Sequence, residues 1–186
     1  MMDNVTGWFR SPGFLQEPMI EQGSRKPPLS LLVSLLLPLA AGGIGSVLTM
    51  SAVPTWYRRI YKPVWTPPSW LFAPVWTTLY LAMGVASWLV WKKGKEKEDE
   101  TRAALTLYSV QLGFNSLWSI IFFGLRSPGL ALAEIAVLWG LIVATVRSFA
   151  RVRPLAAALL APYLAWTTFA AALNAAIWWL NRDYWE

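Results

Sequence analysis

Five long apolar stretches, separated by short breaks rich in charge or proline, restrict this chain more than any other feature of its sequence. A helix that crosses the hydrocarbon of a bilayer needs about 20 mostly apolar residues, because that layer is about 30 Å thick and each residue rises about 1.5 Å. The stretches run over about 29–53, 70–91, 103–125, 129–149 and 155–180. A soluble helical domain would need polar faces for water, and runs this long with connectors this short provide none. A membrane β-barrel needs alternating segments of about 10 residues, and these runs are continuous. The expected fold is therefore an all-α integral membrane protein, a bundle of five transmembrane helices over 29–183. A flexible extension at 1–28 and a short tail at 184–186 complete it. The extension carries acids, Pro12, Pro18, Pro27 and Pro28 and no continuous apolar core, so it does not read as a secretory signal.

Composition agrees with a lipid environment and narrows the chemistry. The chain is 56% hydrophobic and 14% charged, where soluble globular chains carry about 25% charged residues. The net charge of +6 does not point to nucleic acid, because the basic residues fall in connectors and not along one face. Five spans place Arg58, Arg59, Lys62, Arg126 and Arg182 on one side and leave the other 11 of the 16 Lys and Arg opposite, with the N-terminus. The positive-inside rule then puts the N-terminus inside. The sequence has neither cysteine nor histidine, which removes disulfides, thiolate nucleophiles, the usual general base and the usual metal ligands. No metal site or cofactor is expected.

The connector Trp56–Trp70 holds Pro63, Pro67 and Pro68 among several aromatic residues, so it should be ordered. Two readings stand open for it: a lid over a site, or an interfacial aromatic anchor. Polar residues inside the spans are a second clue, since each is costly in hydrocarbon unless it faces the bundle interior or a cavity. Gln111, Asn115, Trp118 and Ser119 share one helical face, as do Trp76, Tyr80, Met83 and Ser87, and Tyr163, Trp166, Ala170 and Asn174. They suit either interhelical hydrogen bonding or an aromatic cavity for a large flat or sterol-like ligand. Glu134, the only acid inside a span, is expected to pair with Arg126 or to lie near the interface. Ala136, Gly140 and Ala144 form a small-residue ridge suited to close packing, including packing between protomers.

Three ordered motifs carry a resemblance. The segments Trp56-Tyr57, Lys62-Pro63-x-Trp65-x-Pro67-Pro68 and Phe72-x-Pro74-Val75-Trp76-x-x-Leu79-Tyr80 resemble the translocator protein family, also called tryptophan-rich sensory protein (TspO/MBR) or peripheral benzodiazepine receptor. Gln111-x-x-x-Asn115-x-x-Trp118-Ser119 is similar to its third helix, and Pro162-Tyr163-Leu164-x-Trp166 with Leu173-Asn174 to its fifth. The resemblance implies a five-helix fold, commonly a homodimer, and a pocket on the side of the first connector that takes porphyrins such as protoporphyrin IX and haem, sterols, and benzodiazepine-type drugs. Carried over by position, that pocket comprises Trp56, Tyr57, Trp76, Tyr80, Asn115, Trp118, Trp166 and Ala170. The resemblance further implies a receptor- or transporter-like role, or alternatively a slow light- and oxygen-dependent breakdown of porphyrin in which Trp76 and Trp166 react. It implies the mitochondrial outer membrane in a eukaryote and a bacterial membrane otherwise. One departure matters: family members that carry a proposed sterol motif have a tyrosine soon after the helix-five Leu-Asn, whereas Ala175 follows Asn174 here.

Overall fold

The computed structural model describes residues 29–94 and 96–184. The expected extension at 1–28, Lys95, Trp185 and Glu186 lie outside the described residues. Five α-helices account for most of the rest: α1 (Leu29–Ala52), α2 (Ser69–Trp91), α3 (Glu98–Ser119), α4 (Pro128–Val152) and α5 (Pro154–Leu180). No strand occurs among the described residues. Two helices end in a wider π turn, at Val53–Tyr57 after α1 and at Ile120–Gly124 after α3. Pro54 lies in the first of these turns; it has no N–H to close an α-helical bond, which favours the wider spacing.

Around the bundle the helices neighbour one another in the order α1, α2, α5, α4, α3, and α3 packs back on α1. The close approach of α1 to α2 depends on Gly84, whose absent side chain leaves room for the Leu35 Cα and the Ser34 carbonyl, both 2.8 Å from where a Cβ would stand. Met83, Ala86, Val90, Ala104, Phe149 and Ala156 are fully buried at the centre. Leu29, Leu36, Val47, Met50, Leu130 and Leu155 are exposed on the outside. An apolar exterior around an interior that contains Gln111, Asn115 and Asn174 is the arrangement that lipid favours.

By length and composition, α1 with its π turn, α2, α4 and α5 can cross a membrane. The third helix differs from its expected span of 103–125 because it begins at Glu98, with Glu98, Asp99 and Glu100 in its first turn. These acids suit the positive end of the helix dipole, and Lys97–Glu100 and Arg102–Glu98 pairs at 3.2 and 3.0 Å support the protruding turn. Pro128 and Pro154 open α4 and α5 at the first helical position, where a missing N–H costs nothing. Between α3 and α4, Arg126 adopts a left-handed backbone with φ 54°.

The expected pair of Glu134 with Arg126 does not form. Glu134 is buried, and neither carboxylate oxygen has a hydrogen-bond partner among the described residues, while Arg126 is exposed. The two residues are not an ion pair. Glu134 lies on the face of α4 that also carries Ala131, Ile135 and Leu138, all buried, and this face points into the bundle away from the exposed turn.

Candidate functional site

The first half of α2 and the middle of α5 face each other as antiparallel neighbours, and their aromatic residues meet in register. Phe72 packs edge-on against Trp166 with ring centres 5.9 Å apart, and Trp76 packs against Tyr163 at 6.3 Å. On α2 itself Trp76 stacks on Tyr80, 5.3 Å away and 26° from parallel, and on α5 Trp166 leans on Phe169 at 5.4 Å. Such four- and three-residue spacings place side chains on one helical face. Phe72, Trp76, Tyr80, Trp166, Phe169 and Ala170 remain partly exposed, so this aromatic wall is not sealed within the core.

Behind the rings a row of polar side chains is hydrogen-bonded, with Gln111 Nε2 left without a partner among the described residues. The Tyr80 hydroxyl donates to Asn115 Oδ1 at 2.8 Å, Asn115 Nδ2 donates to the Tyr163 hydroxyl at 3.2 Å, and Tyr163 donates to Gln111 Oε1 at 3.0 Å. This chain joins α2, α3 and α5. It fixes the position of Tyr80 and takes up its hydroxyl, so that the wall offers chiefly ring surface. A surface of that kind favours a ligand with large apolar faces.

The first connector crosses this wall. Trp65 contacts Phe169 edge-on at 5.8 Å. The chain turns at Pro63, whose carbonyl accepts bonds from the Thr66 N–H at 3.0 Å and from the Thr66 hydroxyl at 2.7 Å. The Lys62 ammonium donates to the carbonyls of Tyr57 and Ile60 at 2.7 and 2.8 Å and lies 4.9 Å from the centre of the Tyr57 ring. Partial burial pulls its pKa below the ordinary lysine value.

Apart from Asn115, the eight residues carried over by position fall on two packed clusters that adjoin at Trp118. Trp76, Tyr80, Trp166 and Ala170 pack on the main core between α2 and α5. Trp56 and Tyr57 belong to a second cluster with Phe122, Leu173 and Ile177, on which Phe72 and Phe169 of the wall also pack. Trp118 borders both clusters; its ring stacks on Phe122 at 5.0 Å and its Nε1 donates to Asn174 Oδ1 at 3.1 Å. Asn174 Nδ2 in turn donates to the Pro128 carbonyl at 2.8 Å, so this pair pins α3, α4 and α5 together. Asn115 is buried, with both ends of its amide occupied by tyrosines.

Phe72, Phe169 and Trp65 belong to the aromatic wall although the carried-over set leaves them out. Phe72 lies one turn before Trp76 and Phe169 one turn after Trp166, so extending each helical face by a turn would have found both. A separate cavity of about 370 Å³ lies at the α3–α4 turn, lined by residues 125–129 and Trp178. It shares no residue with the aromatic wall, whose chemistry is the better fit for an apolar ligand.

The sequence profile of the TspO/MBR family matches residues 34–180. The chain is 42% identical over 153 residues to the Tryptophan-rich protein TspO of Archaeoglobus fulgidus, covering 82% of this chain and 97% of that one. It is 43% identical over 156 residues to the Tryptophan-rich protein TspO of Chlorobaculum tepidum, covering 84% and 98%. It is also 42% identical over 147 residues to the Translocator protein of Bos taurus, covering 79% and 87%.

Proposed function

The chain belongs to the TspO/MBR family of multi-pass membrane proteins, and from that premise we propose that it is a receptor- or transporter-like protein that binds porphyrins, protoporphyrin IX or haem, against the aromatic wall of α2 and α5 beneath the first connector. Sterols and benzodiazepine-type drugs fit the same apolar surface. One observation carries the reading: Phe72 meets Trp166 and Trp76 meets Tyr163 across two facing helices while the hydroxyls of Tyr80 and Tyr163 are engaged behind them. A flat macrocycle would gain ring contacts there without displacing the tyrosine hydrogen bonds. The protein acts as a homodimer in this reading. The ridge on α4 offers a close-packing face, since Gly140 is exposed and has nothing within 4 Å of where its Cβ would stand.

Titration of the purified protein with protoporphyrin IX tests the reading. Tryptophan fluorescence should fall saturably, and a non-saturating response like that of empty micelles would reject it. The partly exposed Trp76 and Trp166 favour a second reading, in which bound porphyrin is slowly degraded under light and oxygen. Illumination should then convert the porphyrin absorbance to that of a new product, and replacing both tryptophans by phenylalanine should stop this while binding persists. Equal bleaching of porphyrin in protein-free micelles would dismiss the enzymatic reading.

A further inference from the structure

Asn181 follows the last residue of α5 and is 2% exposed. Its side-chain amide makes three hydrogen bonds. Oδ1 accepts from the Tyr61 N–H at 2.9 Å, and Nδ2 donates to the Tyr61 carbonyl and to the Ile177 carbonyl, both at 2.8 Å. The first two bonds engage both backbone groups of one residue, as a neighbouring strand does in a hydrogen-bonded antiparallel pair. The third ties the amide to the last turn of its own helix and so fixes its orientation. Tyr61 sits in the first connector, four residues before Trp65, and the segment between them contains Pro63 and the Pro63–Thr66 turn. Lys62 braces the preceding residues through the carbonyls of Tyr57 and Ile60. The connector is thus a stiff strap whose centre is fastened to the end of the helix that carries Trp166 and Phe169.

We propose that Asn181 is the latch of this strap: its amide holds the connector closed over the aromatic wall and sets how fast an apolar ligand exchanges, without touching the ligand. A primary amide can accept from a backbone N–H through its oxygen while its NH2 donates to two carbonyls, which a hydroxyl with a single O–H cannot do. Leucine matches its size and offers neither function. Aspartate keeps the acceptor for Tyr61 N–H and loses both donors. The kinetic part of the inference rests on the ligand reading given above; the mechanical part does not.

The test uses the full chain in detergent, with Asn181→Leu and Asn181→Asp beside the wild type. Arg58 and Arg59 are exposed at the start of the strap, so the rate of tryptic cleavage after them reports its opening. Cleavage should accelerate by about tenfold or more in Asn181→Leu and by less in Asn181→Asp, because two or three hydrogen bonds are lost from a local closed state. Hydrogen exchange at the Tyr61 N–H should accelerate in step. Stopped-flow mixing with protoporphyrin IX should show association and dissociation rising together, with the dissociation constant shifting by less than about threefold. Wild-type association should level off at high porphyrin, at the rate of strap opening. Unchanged cleavage and exchange in both variants would overturn the latch. Faster cleavage in the variants without saturable porphyrin binding by the wild type would keep the latch and overturn the ligand reading. A rise in dissociation alone, with matching loss of affinity, would put Asn181 in contact with the ligand and overturn the gating role. If Asn181→Leu loses helicity through its broken bond to Ile177, Asn181→Asp and wild-type exchange at Tyr61 decide the question.

Discussion

Gly42 is where α1 approaches Tyr80, so replacing it by alanine tests how firmly that ring is held. A Cβ at position 42 would stand 2.6 Å from Tyr80 Cζ and 2.8 Å from Cδ2, and closer still to Cε2. The ring is restrained on two further sides, because Trp76 stacks on it at 5.3 Å and its hydroxyl is held by Asn115 at 2.8 Å. Overpacking of this kind costs about 1–3 kcal/mol. The hydrogen bond adds about 0.6 kcal/mol in a membrane bundle, and the ring pair about 0.5–1.5 kcal/mol. One displacement disturbs all three together, so their sum overstates the loss. We expect Gly42→Ala to destabilise the protein by about 2 kcal/mol. Gly43 is the internal control, since nothing lies within 4 Å of its Cβ position, and Gly43→Ala should be neutral or slightly stabilising. Equilibrium unfolding in mixed detergent and dodecyl sulfate micelles, followed by tryptophan fluorescence, measures both variants. If Gly42→Ala falls within about 0.5 kcal/mol of Gly43→Ala, α1 does not confine Tyr80 and the reasoning fails.

The same unfolding assay tests two further residues. Asn174→Leu removes the partners of Trp118 Nε1 and the Pro128 carbonyl and should lower stability by about 1–2 kcal/mol; no loss would mean that water or lipid replaces the amide. Glu134→Leu should raise stability by about 1–2 kcal/mol, because it removes a buried carboxyl that accepts no hydrogen bond among the described residues, and a fall would reveal a partner for it. Replacing Pro63, Pro67 and Pro68 together by alanine should make the connector easier to cleave and weaken porphyrin binding while far-ultraviolet circular dichroism stays the same, since rigidity limits the unfolded alternatives of the strap. Unchanged affinity with a newly cleavable connector would make the strap an interfacial anchor and not part of the site.

Much of the bundle was legible because lipid demands long apolar runs, and Pro128 and Pro154 mark two helix starts directly in the sequence. The start of α3 was not, because the length of an apolar run marks only the part of a helix in hydrocarbon, whereas a helix can continue into water when acids such as Glu98, Asp99 and Glu100 face its N-terminus. Pro54 hints at the first π turn, but nothing in the run Ile120–Gly124 distinguishes a π turn from an α turn. The inward faces of α2, α3 and α5 follow from helical spacing, and the network Tyr80–Asn115–Tyr163–Gln111 joins residues named on those faces. Which ring meets which across two helices is a matter of tertiary register, to which spacing along one helix is blind. That is why the packing of Trp56 and Tyr57 on Phe122, and of Phe72 and Phe169 on Trp166, emerges only from the fold. The fastening of Tyr61 by Asn181 spans 120 residues of sequence, and no local pattern could announce it.

The location of the ligand is the central claim, and the indole N–H resonances of the 13 tryptophans test it most directly. Porphyrin ring currents shift nuclei that lie against the macrocycle and leave distant ones unmoved. With single-tryptophan substitutions for assignment, a titration with protoporphyrin IX should move Trp76, Trp166 and Trp65 saturably, at one common dissociation constant. Trp91 at the far end of α2, Trp139 on the outside of α4 and Trp178 at the separate cavity should stay in place. Saturable shifts at Trp178 with Trp76 and Trp166 unmoved would contradict the account and put the ligand at the α3–α4 turn.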